Sequence, residues 1–590
     1  MTGAGSHVRE ADRRQSWLER WAPEVMLGCA AVLLSAANGW WVWTVRARMP
    51  YSIDEAGYLQ RAIRDGQALV HGGVVGLVAA VRSPDIQAPL VPVIGALAYP
   101  FAHGSLLKLM MSLQLLYLGL VVATYLLARQ TMGRWWAVLA ALLVACSAGI
   151  VDQSRTFLFA VAATATFTAA LGAHLAAHNG RRRGWLLGAG VLSGLTLLAR
   201  TMMIAFVAVL WMVGLVAVLA EAGDRRRRLL RYLVTPATGV AVAATWYSAQ
   251  WSYVWQYLTE YGYGRASAHY GRSSHILLIG ILPERLGNIL SKDFYVPTTA
   301  VLLVGLVTLV SSTWLEARGA RPDVVQMVAG RRAQMTLVAV GCLAALCSTG
   351  DQGSAFELPM IPVIVVLGVA GLACLQGRWV RRVLVSMACL FGGAVVALKT
   401  VPTVPPTTMD VSVLGVPAVV ASSSSTISRY VHRFGEPGAG NRAMSATWLT
   451  DSRRAEEFMY TFAGRRGYLP VVFFATEGPL FNTNTVQLEA QVQRGQLLPM
   501  GVFRNPRRVH MGFVQQLDAH QYGIPNWLVA VSGRGAAEFT VTPDTRATMT
   551  AEGAGFREVW RQRLANGTWV TLYWRRVGPR VAGRGAVAGS

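Results

Sequence analysis

The first 400 residues are a succession of apolar runs broken by short polar, arginine-rich segments, whereas the remainder alternates on a finer scale. The runs fall near 23–45, 88–102, 106–128, 134–150, 156–178, 184–200, 202–221, 232–250, 297–315, 335–349, 356–376 and 382–399. A helix needs about 20 apolar residues to cross a hydrocarbon core, and most of these runs approach or reach that length. The run at 88–102 is the exception. It is short and contains Pro89, Pro92 and Pro100, which disfavour a regular span.

Sidedness decides how that run is read. Arginine clusters lie at Arg9, Arg13, Arg14 and Arg20; at Arg129 and Arg134; and at Arg181 to Arg183. Others lie at Arg225 to Arg228 with Arg231, at Arg318, Arg321, Arg331 and Arg332, and at Arg378, Arg381 and Arg382. Short cytoplasmic loops hold such clusters. With 88–102 lying at the outer surface, every cluster falls inside. The expectation is therefore a polytopic α-helical membrane protein of about 11 spans in a bacterial plasma membrane, N-terminus cytoplasmic and C-terminus outside. The basic start and the run at 23–45 read as a retained first span, not a cleaved signal.

Two outer loops stand out, 46–105 with an amphipathic stretch near 54–70, and 251–296, rich in Tyr, Trp, Arg and His. After a Pro/Thr segment at 401–408, residues 401–590 are expected to form an extracytoplasmic α/β domain. Its strands are predicted at 469–474, 527–532 and 569–574, and its helices at 451–462 and 485–493, with a hairpin turn at Asn566-Gly567.

Composition narrows the class. Hydrophobic residues make up 53% and charged ones 14%, against about 25% charged in soluble chains. A cytosolic enzyme, a disordered chain and a fibrous one are excluded. The net charge of +24 and pI near 10.5 would suggest nucleic acid, but the basic residues sort by membrane side, so no nucleic acid partner is expected. Lysine occurs only at 108, 292 and 399. That arginine bias lowers the weight of any single arginine. The six cysteines all lie in apolar runs and read as buried hydrophobes, with no metal spacing.

Candidate chemistry gathers at the outer face. Asp54 and Glu55 follow the first span directly, and Asp152 sits in a very short turn at 151–155. Acidic groups at membrane depth are costly and often functional, and carboxylates from separate loops suit a general base or a divalent cation. The plainer alternatives are a capping box of Ser52 with Glu55 and a salt bridge from Asp152 to Arg155. Asp351 and Glu357 flank another outer turn with weaker claims.

The segment Asp54-Glu55-Ala56 with Tyr58 resembles the acidic signature of GT-C membrane glycosyltransferases, near the protein O-mannosyltransferases and the lipid A aminoarabinose transferases. Ala88-Pro89-Leu90 resembles their Pro-Pro-Leu segment, with Ala in place of the first proline. The Asp152 turn is similar to their second acidic loop. Gly194 to Arg200 and Phe356-Glu-Leu-Pro359 resemble later family segments, so the likeness runs in order over about 400 residues.

The resemblance implies a GT-C-like catalytic domain over 1–400 that takes a sugar from a polyprenyl-phosphate donor, in the bilayer, to an acceptor hydroxyl. It implies Asp54 as general base with inversion, and Glu55 and Asp152 as acceptor- or cation-positioning groups, a Mg or Mn ion at Asp54 and Asp152 being optional in the family. Phosphate requires fixed positive charge. The candidates are Arg82, Arg155, Arg200, Arg265, Arg272 and Arg285, with Tyr58, Tyr261, Tyr263, His269 and Tyr270 expected against the sugar or acceptor. The segment 261–272 reads otherwise as an interfacial aromatic belt. A transporter is the main rival, but it has no use for the large outer domain and predicts mid-membrane broken helices in paired halves. A non-catalytic envelope assembly protein is the second; it predicts that Asp54 and Asp152 point apart.

Overall fold

In the computed structural model the described residues are 4–49, 51–83, 87–221, 224–259, 278–319, 330–349, 355–401, 407–413, 416–424, 441–478, 481–495, 497–503, 515–516, 524–532, 555–564 and 568–577. Each of the eleven runs expected to span is helical. They lie in α1 (Ala4–Thr44), α4 and α5 (Leu106–Met111, Gln114–Ala128), α6 (Arg134–Ala145), α8 (Phe159–Ala176), α9 (Arg183–Ala199) and α10 (Ile204–Ala220). The remainder are α12 (Val234–Tyr257), α14 (Val296–Gly319), α15 (Arg331–Cys347), α16 (Ile361–Cys374) and α17 (Arg378–Thr400). Between them come α2 (Ile53–Val81), α3 (Leu90–Ala102), α7 (Ala148–Gln153), α11 (Arg225–Tyr232) and α13 (Leu278–Asn288). Among the described residues, six helical stretches are long and apolar enough to cross a membrane, beginning with Trp21–Thr44 and ending with Arg378–Thr400.

Small side chains set the packing. α8, built from Ala, Thr and Gly around a few large residues, is buried along nearly its whole length between α5 and α9. Such residues let helix backbones approach closely, where lipid offers no hydrophobic drive to association. Glycines bring α14 and α16 close together. A Cβ on Gly371 would overlap the carbonyl of Gly305, and a Cβ on Gly305 would overlap that of Gly368. Gly371→Leu is expected to cost about 1–3 kcal/mol by overpacking, read as a lower melting temperature in detergent. An unchanged melt would argue against this contact.

The proline-rich run 88–102 is a regular helix of 13 residues despite its prolines. Pro89 caps it, Pro92 sits in its first turn where the missing N–H is no loss, and Pro100 is near its end. It lies against α2, where Tyr99 covers Gly66 and Ala62 covers Gly95. α2 bends at Gly73, whose φ of 61° is a conformation that glycine adopts readily. Burial of all six cysteines is only partly correct. Cys342 and Cys347 are buried, whereas Cys29 and Cys389 are exposed on outward faces of α1 and α17.

The C-terminal region begins with a hairpin, β1 (Thr408–Val413) and β2 (Val416–Ser422). It packs on the helical bundle through Val419, against Ala148, Tyr295 and Val395. A five-stranded sheet follows, ordered β4-β3-β5-β7-β6. β3 (Val472–Phe474) runs parallel to β4 (Met500–Val502) and β5 (Trp527–Val531); β7 (Trp569–Trp574) pairs antiparallel with β5 and with β6 (Arg557–Arg563). α18 (Asn441–Gly464) and α19 (Thr483–Arg494) accompany it. The three predicted strands and two predicted helices coincide with β3, β5, β7, α18 and α19. Residues 566 and 567 of the predicted turn lie outside the described residues; the strands on either side pair antiparallel, Arg563 opposite Trp569.

Near the start of α19, buried Glu477 accepts hydrogen bonds from the amide and hydroxyl of Thr483, both at 2.7 Å. Burial pushes its carboxyl above the ordinary glutamate value, and the Thr483 bonds only partly oppose this. The folded chain thus holds the proton to higher pH than the unfolded one. The associated stability is full at low pH and lost as pH rises from the ordinary value through the raised one. Glu477→Gln is expected to remove that loss, so melting curves of parent and variant diverge as pH rises above the ordinary glutamate value of about 4.3. Parallel curves would count against it.

Candidate active site

The first turn of α2 separates two adjacent acids. Ser52, in extended conformation, caps the helix by accepting from the Glu55 amide at 3.3 Å. Successive helical residues point about 100° apart, and here one acid turns inward and the other outward. Glu55 is fully buried. One carboxylate oxygen pairs with Arg46 and the other accepts from the Phe157 amide at 2.9 Å. Arg46 in turn donates to the Met49 carbonyl at 2.7 Å and lies 4.6 Å above the Tyr51 ring. Only half of the expected capping box forms, because Glu55 is drawn to Arg46 and Phe157 and not back to Ser52. Asp54 is exposed.

Three segments converge beside Asp54. Asn484, in the first turn of α19, donates to the Ile53 carbonyl at 2.8 Å. A Cβ on Gly57 would lie 2.9 Å from Gln87 Nε2 and 3.1 Å from Asn484 Nδ2, so glycine there admits both neighbours. Ala88 and Pro89 follow, both buried. Tyr58, expected against substrate, is instead a core residue, its ring centroid 6.0 Å from that of Phe159.

Asp152 ends a short helix, α7, where a bare turn was expected, and is 2% exposed. Its hydrogen bond goes to Lys399, while its charge still acts on the Arg155 guanidinium. Lys399, at the end of the last span, donates to Asp152 Oδ2 at 2.9 Å and to the Ser424 carbonyl. Arg155 points elsewhere, to Asn38 Oδ1 at 2.9 Å, to the Lys399 carbonyl and to Thr400 Oγ1 at 3.0 Å, with Trp41 under its guanidinium. Burial holds Arg155 below the ordinary arginine value, to about 10.

The other arginines differ in setting. Arg285 is buried, bonded to Glu357 at 3.1 Å and to the Leu346 carbonyl. Arg155 and Arg285 are therefore committed to protein groups. Arg82 is exposed at the end of α2. Arg200 is half-buried, its guanidinium stacked between Phe159 at 3.8 Å and Phe356 at 3.5 Å. Tyr261, Tyr263, Arg265, His269, Tyr270 and Arg272 lie outside the described residues, as does Asp351.

Four residues were missed by the sequence reading: Arg46, Asp293, Lys399 and Asn484. Asp293 is buried with its carboxylate against Gly149. Lys399 alone carried a signal, as one of three lysines in an arginine-rich chain. The residues do not fit a cation at Asp54 and Asp152, since Asp152 is buried against an ammonium and Asp54 is exposed. Among the described residues, no three His, Cys, Asp or Glu side chains group as a metal site.

No protein-family model matches the chain, and no curated protein matches it by sequence. Solved structures do match. The chain is similar to ArnT from Cupriavidus metallidurans bound to undecaprenyl phosphate, with a TM-score of 0.51 and 13% identity, covering 92% of this chain and 97% of that one. It is similar also to the oligosaccharyltransferase AglB from Archaeoglobus fulgidus in complex with an inhibitory peptide and a dolichol-phosphate. There the TM-score is 0.50, the identity 13%, and the coverage 87% of this chain and 70% of that one. The fold of this chain is that of these two structures.

Proposed function

We propose that this chain is a membrane glycosyltransferase that moves a sugar from a polyprenyl phosphate to an acceptor hydroxyl at the outer face of a bacterial plasma membrane. The observation that carries the reading is Asp54, an exposed carboxylate on the first turn after the first span of a GT-C fold. The undecaprenyl phosphate and dolichol-phosphate in the two similar structures support the donor class.

The Asp54 carboxylate takes the proton of the acceptor hydroxyl while that oxygen attacks the anomeric carbon opposite the phosphate. The bond from sugar carbon to phosphate oxygen breaks, and polyprenyl phosphate leaves as an anion, so the anomeric configuration inverts. Arg200 in its Phe159–Phe356 cage, Arg82, and the Arg265–Arg272 segment are assigned to neutralising that phosphate. Tyr261, Tyr263, His269 and Tyr270 are assigned to the sugar or acceptor, Glu55 to holding the helix turn that bears Asp54, and residues 401–590 to the acceptor side.

The test is purified chain in nanodiscs, offered a panel of polyprenyl-phosphate sugars with hydroxyl acceptors, following released polyprenyl phosphate. Release with one sugar, lost in Asp54→Asn, is expected. Donor binding and transmembrane movement without release would favour a carrier and overturn the assignment.

A further inference from the structure

We propose that Lys399 is a built-in counterion for the second acidic loop, its ammonium taking the place at Asp152 that a divalent cation would otherwise hold, so that Asp152 binds no metal. The reading of the chain as a glycosyltransferase enters only in making this loop part of the working face.

The pair is buried on both sides, with Asp152 2% and Lys399 3% exposed. Lys399 Nζ lies 2.9 Å from Asp152 Oδ2 and bonds the Ser424 carbonyl as well, with the Tyr295 ring 5.8 Å away. One carboxylate oxygen and one carbonyl oxygen are hard oxygen ligands of the kind that Mg or Mn takes. Here a compact ammonium, a point charge with three donors, occupies the space between them. Its backbone is fixed too, because Arg155 donates to the Lys399 carbonyl and to the Thr400 hydroxyl. Lysine at this position runs against the composition of the chain, which has only three. A planar guanidinium would need a wider, forked set of acceptors. The second carboxylate of the neighbourhood, Asp293, packs against Gly149 on the same short helix as Asp152. A metal entering there would have to displace Lys399 and leave that ammonium buried beside a dication.

Manganese titration followed by electron paramagnetic resonance tests this on the purified full chain. Wild type is expected to bind no more Mn than the doubly neutral Asp152→Asn/Lys399→Met. Lys399→Met alone, which takes this ammonium away from Asp152, is expected to bind Mn at least about tenfold more tightly, a change typical of lost ligand support or competition. Turnover of wild type is expected to be the same in EDTA as in Mn. Mn binding by wild type that the double variant lacks would overturn the proposal, as would EDTA arrest reversed by Mn. If Lys399→Met fails to fold, the comparison of wild type with the double variant still decides. A chain with no turnover under any condition sinks the glycosyltransferase assignment, and the manganese titration then judges Lys399 by itself.

Discussion

Asp54→Asn is expected to slow release of polyprenyl phosphate by about 10²- to 10⁴-fold, the range over which a positioned general base acts, while the protein melts close to the parent. The asparagine amide keeps the size and the helix-start geometry of the side chain but cannot take a proton from the acceptor. Because Asp54 is exposed, its loss costs the fold little. The favourable placement of an acid at a helix N-terminus is lost with the charge, about 0.3–1 kcal/mol. Ser52 still caps α2. Turnover and melting measured on the same preparation decide the matter. An unchanged rate would remove Asp54 from the mechanism, and a collapsed melt would make it a structural residue.

One residue further on, the balance reverses. Glu55→Ala leaves Arg46 charged and buried without its carboxylate, and breaking one side of a buried pair costs about 3–5 kcal/mol. The amide of Phe157, held now by Glu55 at 2.9 Å, is orphaned by the same change. Glu55→Gln is expected to be milder, since its carbonyl can still accept from Phe157 and from Arg46. Tryptophan-fluorescence melting of the two variants is the measurement. The expected order is parent, Gln, Ala. If the Ala variant melts with the parent, the link between Arg46, the first turn of α2 and the turn before α8 is not what holds this end of the bundle together.

Helices and strands were legible in the sequence because both are written in periodicity. Eleven apolar runs became helices, and Val472–Phe474, Trp527–Val531 and Trp569–Trp574 became strands where short β-branched and aromatic runs predicted them. The site was legible only as a set of acids. Sequence spacing placed Asp54, Glu55 and Asp152 at one end of the bundle, but it could not tell which of them would face solvent. That depends on the rotation of α2 and on where Arg46 and Lys399 arrive, and Lys399 is 247 residues from Asp152. The pairing of Asp152 with Arg155 was the natural local choice at a separation of three residues, and it lost to tertiary packing. Arg155 is pulled to Asn38 and the end of α17. Asn484 was invisible for the same reason, since its partner Ile53 lies 431 residues away.

The hairpin after the last span changes where the protein can be cut and rejoined. Composition draws the seam at the prolines of 401–408, yet the Ser422 carbonyl accepts from Tyr295, the Ser424 carbonyl accepts from Lys399, and Val419 packs on the bundle. Val419, Ser422 and Ser424 are thus part of the helical half in all but sequence position. A chimera that exchanges the C-terminal sheet with that of another chain of this fold keeps its charge pair and its docking surface only if the crossover is made beyond Ser424. Made at the prolines, it imports a foreign hairpin onto Tyr295 and Lys399, and any difference in substrate choice that followed would be misattributed to the sheet.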